Sequence, residues 1–220
     1  GAMLFRDRRE AGRLLGQLLA KRTWNRPIVL GLPRGGVPVA IEVADAIGAD
    51  VDIVVSRKIG APFNPELALG AVDVNGVAVI DNRALRVYGV TEEYLKQKIQ
   101  AAATEARRRA AEYRGQRPMP SLAGRDVILV DDGIATGHTL LSAGRSLAGQ
   151  GASLLCIAAP VCPADVVPRL ENSVDLVLVL RQPSDFGSVG QFYMDFSQLT
   201  DADVRQMLED AWASRQEPDT

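Results

Sequence analysis

Two acids, Asp131 and Asp132, stand directly behind the apolar β-formers Val127 to Val130 and ahead of a small-residue string, Gly133-Ile134-Ala135-Thr136-Gly137-His138-Thr139. Adjacent carboxylates repel each other, and at the end of a buried strand they also lose solvation. Such a pair suits a site where a ligand uses it. Ionised carboxylates only accept hydrogen bonds, so vicinal hydroxyls such as a ribose diol are natural partners. The following string has the opposite preference. Small residues let the backbone turn sharply and present successive N–H groups, and a helix starting near Thr136 adds its positive end. Thr136 and Thr139 add hydroxyls, which completes an anion cradle suited to a monophosphate. A diol site beside a monophosphate site asks for a ribose 5-phosphate. Taken singly, Asp131 could cap the turn and Asp132 stay solvated, but the complete ordered string favours a ligand. It contains neither the Gly-Lys-Ser/Thr of a P-loop nor a G-x-G-x-x-G.

The elements that would carry these residues alternate in type. A helix is expected from about Arg8 to Arg22, opened by Asp7 with Glu10 three residues on and striped by Leu14, Leu15, Leu18 and Leu19. Short apolar strands follow at Pro27–Leu32 and Val51–Ser56, separated by a helix with Gly48 at its C-cap. The Gly/Pro-punctuated stretch from Arg57 to Gly70 reads as a long loop, and Asn75-Gly76 between two β-runs signals a hairpin. Thr91 caps a long helix to about Tyr113, with Leu95, Ile99, Ala102, Ala106 and Ala110 as its buried stripe. Strand, helix, strand, short helix and strand then lead to an aromatic loop and a last helix capped by Thr200. Near-continuous Val/Ile/Leu strands alternating with helices predict a doubly wound α/β fold with a mainly parallel sheet. In such sheets ligands bind at the carboxyl ends of the strands, where both Gly-rich turns of this chain, Pro33-Arg34-Gly35-Gly36 and the string after Asp132, would lie.

Composition narrows the classes. The 220 residues are 47% hydrophobic and 24% charged with a net charge of −2, and the pI is about 5.5. A nucleic-acid duplex is not an expected partner of such a chain. No apolar run approaches the ~18 residues that a membrane span needs. The start shows no signal peptide, and the leading Gly-Ala-Met reads as an expression scar. Cys156 and Cys162 fit neither a zinc spacing nor a disulfide framework, which suits a reducing cytoplasm. With a single histidine, a His-based metal cage is excluded. Arg107, Arg108 and Arg109 read as a solvated helix face with a Glu105–Arg109 pair.

The string Val127 to Thr139 resembles the PRPP-binding signature of the type I phosphoribosyltransferases: apolar residues, two acids, variable positions, then Thr-Gly-x-Thr. The layout resembles that family from about Arg6 to Leu180. The opening "FRDRREAG" and the stretch "RKIGAPFNPELALGAV" resemble in particular a group of predicted phosphoribosyltransferases. The resemblance implies a Mg²⁺-dependent transferase that uses 5-phosphoribosyl 1-pyrophosphate (PRPP). It implies that Asp131 and Asp132 hold the ribose hydroxyls and that Ala135, Thr136, Gly137, His138 and Thr139 hold the 5′-phosphate. His138 would act there as a phosphate neighbour rather than a base. The turn Leu32 to Gly36 resembles the family's pyrophosphate loop, often built on a non-proline cis peptide. Arg34 would supply a guanidinium fork, and Gly35 and Gly36 would admit the ligand to the backbone. Arg57 and Lys58 resemble the basic pair that neutralises the leaving group. Mg²⁺ would be held mainly by PRPP oxygens, without a dedicated cage, and Asp131 and Asp132 are the side chains able to reach it.

By the same resemblance, residues 4–180 form the PRPP-binding core, with a mobile flap at 57–80 and an inserted helix at 91–114, and residues 181–220 form a hood over the acceptor. Glu66 would be a flap acid or solvent-exposed. Ile134, Phe192 and Tyr193 are the weaker candidates for contacting an acceptor base, and a homodimer is expected. Members acting on 6-oxopurines carry an acid where this chain has Ala135, which counts against hypoxanthine or guanine as acceptor. The adjoining residues lean slightly toward the adenine and orotate branches. Two alternatives stand beside a nucleobase transferase: a PRPP-sensing regulator that lacks catalysis, and a transferase whose acceptor is not a nucleobase.

Overall fold

A computed structural model describes residues 4–215; Gly1 to Met3 and residues 216–220, and with them the expression-scar reading and the end of the 181–220 segment, lie outside the described residues, as does the side chain of Glu66. Four apolar strands, β1 (Ile28–Gly31), β6 (Asp126–Val130), β7 (Leu154–Val161) and β8 (Leu176–Arg181), join β2 (Asp50–Ile53) in one sheet. Its order is β2-β1-β6-β7-β8, and all four pairings are parallel. Side chains from β1 and β6 enter two apolar clusters on opposite faces, Val29, Ile128 and Val130 on one and Ile28, Leu30 and Leu129 on the other. Both faces are therefore covered, which is why these strands read as apolar runs rather than alternating ones.

The helices behave as their caps predict. Helix α1 (Arg8–Leu19) begins at Asp7, whose carboxylate accepts the Glu10 amide at 2.9 Å. It stops three residues before the expected Arg22, with Ala20 as C-cap. Its buried face is Ala11, Gly12, Leu15, Gly16 and Leu19, while Leu14 is exposed. Gly12 and Gly16 lie against Val39, Glu42 and Ala46 of α2 (Gly36–Ile47), where a Cβ would meet atoms at 2.8 and 2.6 Å. The close approach of the two helices thus shifts the buried stripe away from Leu14. Gly48 closes α2 in the left-handed conformation.

The stretch expected as a loop is a hairpin. Strands β3 (Ser56–Ala61), β4 (Asn64–Asp73) and β5 (Ala78–Ile80) form a second, antiparallel sheet, with the Asn75-Gly76 turn between β4 and β5. The Gly/Pro punctuation that suggested a loop falls where the β3–β4 register shifts, around Gly60 and Ala61. Helix α3 (Asn82–Tyr88) follows on an Asp81 cap, and α4 (Glu92–Arg114) begins after Thr91. Leu95, Ile99 and Ala102 of α4 pack on the hairpin, and Ala106, Ala110 and Tyr113 pack on the main core. The chain then runs through α5 (His138–Ala148), α6 (Val167–Glu171), a 3₁₀ turn at Val189–Phe192 and α7 (Asp201–Arg215). Residues 192–195 return beside the chain's beginning, through hydrogen bonds Phe5 N to Phe192 O, Met194 N to Phe5 O and Asp195 N to Arg6 O.

Candidate active site

Strands β1 and β6 are neighbours with Gly31 opposite Val130, so both Gly-rich turns leave the sheet at the same level. The Leu32 amide donates to Val130 O at 3.0 Å and ties the turns together. The first turn contains a cis peptide between Pro33 and Arg34. Its two glycines are required by what lies opposite. A Cβ on Gly35 would sit 2.1 Å from Asp132 Oδ2, and one on Gly36 would sit 2.8 Å from Val130 O. The two turns pack this closely because the first presents no side chain at Gly35 or Gly36.

The acid pair is asymmetric. Asp132 is buried, and its Oδ2 accepts Arg8 Nε at 2.9 Å in an ion pair whose side chains are only 12% and 13% exposed. Arg8 also donates to Ser197 O at 2.7 Å, and its guanidinium lies 4.0 Å from the centre of the Phe196 ring. The Tyr193 hydroxyl donates to Asp132 O at 2.6 Å. Asp131 makes no ion pair among the described residues, and only the field of Lys58 acts on it as a cation. Burial, then the neighbouring Asp132, push its carboxyl well above the usual carboxylate range. The repulsion expected between adjacent acids is thus resolved from inside the protein: Arg8 balances one charge, and the other acid is driven toward its neutral form.

Beyond the pair, Gly137 takes a left-handed φ of 81° and turns the chain into α5. A cavity of about 170 Å³ brings Asp131, Asp132, Ile134, the 135–137 turn, Thr139 and Lys58 together. Val189 of the 3₁₀ turn lines it too. The side chain of His138 lies elsewhere. It is buried beside α6, with Nε2 3.5 Å from Arg169 Nη1, and lines an adjoining cavity of about 610 Å³ with Asp81, Arg169 and Phe186, which Ala135 and Thr136 of the turn border as well. Burial, then Arg169, push its imidazole down. What residue 138 offers the turn is therefore its backbone amide.

The three expected leaving-group cations are divided. Lys58 lines the acid-pair cavity. Arg57 lines a cavity of about 320 Å³ on the other side of the hairpin, with Lys98, Tyr94 and Glu105, and Lys58 borders this one as well. Arg34 pairs with Asp201 at 3.7 Å, with both side chains about one-third exposed. Asp201 also accepts from Arg109 at 3.4 Å and from the Tyr113 hydroxyl. Hydrogen bonding from Tyr113 and the two arginines hold the Asp201 carboxyl low, while burial and Asp201 push the Tyr113 phenol up to about 12. This corrects the reading of the arginine run. Glu105 pairs with Arg108, not Arg109, and Arg109 turns inward to the Arg34 cluster.

A second correction concerns the aromatic tail. Phe192 and Tyr193 are buried; the Phe192 ring stacks on Phe186, and the Tyr193 ring lies between Phe5 and Phe196. Neither offers an open face to a base. The tail residue bordering the cavity is Val189, beside Ile134. Sequence reasoning missed Arg8, Asp201 and Val189. Only Arg8 had a signal, its place in the "FRDRREAG" opening. Among the described residues no cluster of three or more His, Cys, Asp or Glu side chains could hold a metal ion, and no helix is long and apolar enough to cross a membrane. Cys156 and Cys162 are buried free thiols.

The parallel sheet carries an acid pair at a strand end beside a glycine-containing turn, and comparison with known proteins gives the class. The phosphoribosyl transferase domain matches residues 6–197, and the chain belongs to that family, the type I phosphoribosyltransferases. It is 41% identical over 208 residues to the Mycobacterium tuberculosis protein named "Putative phosphoribosyl transferase Rv0571c", covering 94% of this chain and 47% of the relative. The chain therefore spans about half the length of the curated relatives it matches. The crystal structure of TT1426 from Thermus thermophilus superposes with a TM-score of 0.79 at 45% identity, covering 94% of this chain and 99% of that one. The AQ2163 protein from Aquifex aeolicus, with a TM-score of 0.51 at 12% identity over 83% of this chain and 78% of that one, shares the fold.

Proposed function

We propose that this chain transfers the 5-phosphoribosyl group of PRPP to a nitrogen nucleophile and releases pyrophosphate. One observation carries the reading: a single cavity joins an acid pair, a turn of small residues and threonines leading into a helix, and a lysine. The acids suit a ribose diol, the turn suits a 5′-phosphate, and Lys58 stands on the side where a charged leaving group would need a cation.

The reaction is displacement at the sugar's C1. The acceptor nitrogen's lone pair forms the new bond while the C1–O bond to pyrophosphate breaks with its electrons, through an oxocarbenium-like state. The protein's part is positioning and charge. Asp131 and Asp132 fix the sugar, the amides from Ala135 to Thr139 fix its phosphate, and Gly35 and Gly36 let the backbone approach. Arg34 and Lys58 stabilise charge on the departing pyrophosphate; Arg57 does so through the field of the hairpin, since its side chain lines the neighbouring cavity. The donor set fits Mg²⁺ held mostly by substrate: one or two carboxylates, Asp131 with Asp132, beside phosphate oxygens. When bound, Mg²⁺ neutralises pyrophosphate charge. Ala135 in place of an acid disfavours 6-oxopurine acceptors, and Ile134 with Val189 supplies an apolar wall for a planar ring. The buried free thiols suit a reducing compartment such as the cytoplasm.

The test is incubation with PRPP, Mg²⁺ and a panel of nitrogen bases while pyrophosphate release is followed. Release that depends on one acceptor supports the proposal. PRPP binding without turnover of any acceptor would replace it with a PRPP-sensing regulator.

A further inference from the structure

The geometry points to Arg8 as a positioning residue of the sugar subsite: it holds Asp132 in place for the ribose diol and is itself held by the chain's C-terminal segment. This rests on the reading of the acid pair as the diol site. Arg8 is 124 residues from Asp132 in sequence, yet it makes the acid's one side-chain ion pair among the described residues, at 2.9 Å. The pair is largely shielded from solvent, so its geometry is fixed more firmly than a surface ion pair would be. Its cation is fixed from the other side as well, by Ser197 O at 2.7 Å and by the Phe196 ring. Phe196 stacks in turn on Tyr193, whose hydroxyl holds the Asp132 carbonyl. The side chain and backbone of Asp132 are thus both anchored to residues 193–197. Gly35 closes the same space, with its absent Cβ 3.0 Å from Arg8 Nε. Arg8 occupies Oδ2 of Asp132, and the residue still borders the cavity. The C-terminal segment therefore acts on the sugar site through Arg8 and Tyr193, with the Tyr193 ring in the core and the Phe196 ring partly exposed beside Arg8.

The experiment measures binding of ribose 5-phosphate and of inorganic phosphate by calorimetry, on the wild-type chain and on Arg8→Met, Arg8→Lys, Phe196→Ala and Asp131→Asn. The wild type and Asp131→Asn test the site itself: the wild type binds ribose 5-phosphate, and Asp131→Asn weakens it while sparing phosphate. With those two results in hand, Arg8→Met is expected to weaken ribose 5-phosphate about tenfold or more, with phosphate binding within about twofold of wild type. Arg8→Lys should recover most of the loss, because it restores the charge. Should Arg8→Met fail to fold, Phe196→Ala carries the test, with an expected loss of about threefold for ribose 5-phosphate alone. Equal loss of both ligands would mean that Arg8 serves the fold and not the sugar subsite, and undiminished ribose 5-phosphate affinity in folded variants would also overturn the inference. A wild type that binds no ribose 5-phosphate would remove the site reading and this inference together.

Discussion

Neutralising Asp131 and neutralising Asp132 should change stability in opposite directions. Asp132 meets Arg8 at 2.9 Å with both side chains nearly sealed from water. At an effective dielectric of about 20 the gross attraction is about 6 kcal/mol, part of which offsets the desolvation of both groups. Asp132→Asn keeps an acceptor oxygen but leaves Arg8 without its counter-charge, and the net cost should be about 2–3 kcal/mol. In a chain of this size that lowers Tm by roughly 5–10 °C. Asp131 makes no ion pair among the described residues, and burial beside Asp132 pushes its carboxyl up against the smaller opposing field of Lys58. Asp131→Asn removes a charge that the fold disfavours and should raise stability at neutral pH. The sign of its pH dependence follows. A carboxyl raised in the folded state supports stability fully below its unfolded value, and that support is lost as pH rises through the folded value. The advantage of the permanently neutral Asn should therefore be small near pH 4 and largest near pH 8. Thermal and urea unfolding of both single variants at the two pH values would measure this. Equal destabilisation by both substitutions, or an Asp131→Asn gain that shrinks as pH rises, would refute the asymmetry.

Arg34→Ala should lower turnover with PRPP more than it weakens ribose 5-phosphate binding, because its assigned partner is the leaving group; equal losses in kinetics and calorimetry would misplace it. Gly35→Ala puts a methyl 2.1 Å from Asp132 Oδ2 and should weaken PRPP binding at least tenfold, read by calorimetry on the folded variant. The depressed His138 imidazole supports stability above its unfolded value near 6.5, and that support is lost as pH falls through its lower folded value. Urea midpoints measured at about pH 5 and 7.5 should thus converge in His138→Gln relative to wild type. Arg114→Met leaves the fully buried Asp52 carboxylate with the Ile53 amide at 2.7 Å and, as its cation among the described residues, Arg117 at 4.0 Å, and should cost about 3 kcal/mol in urea unfolding.

Features set by neighbours in sequence were readable in advance. The apolar runs became the parallel sheet, Asp7, Thr91 and Thr200 accept amides at the starts of their helices, and Asn75-Gly76 made its turn. The signature from Val127 to Thr139 led to the cavity by composition and order alone. What stayed hidden depended on distant partners. Nothing near Asp132 announces Arg8, and nothing near Arg34 announces Asp201 or Arg109. The Glu105–Arg109 pair was plausible at four-residue spacing, yet Arg108 has the better reach and Arg109 finds Tyr113 and Asp201. Gly60 and Pro65 suggested a loop because an isolated strand disfavours them, and the sheet admits them where its register shifts. The aromatic tail could have packed inward or covered an acceptor, and only the structure shows Phe192 and Tyr193 in the interior.

The hairpin strand that carries Arg57 and Lys58 sends consecutive side chains to opposite faces, so Lys58 reaches the acids while also bordering the α4-side cavity, and Arg57 stands against α4. Parity then matters more than identity at this point in the chain. A slip of β3 by one residue would exchange the two roles, whereas a slip by two would keep each cation on its face and carry it roughly 7 Å along the strand, away from the acids.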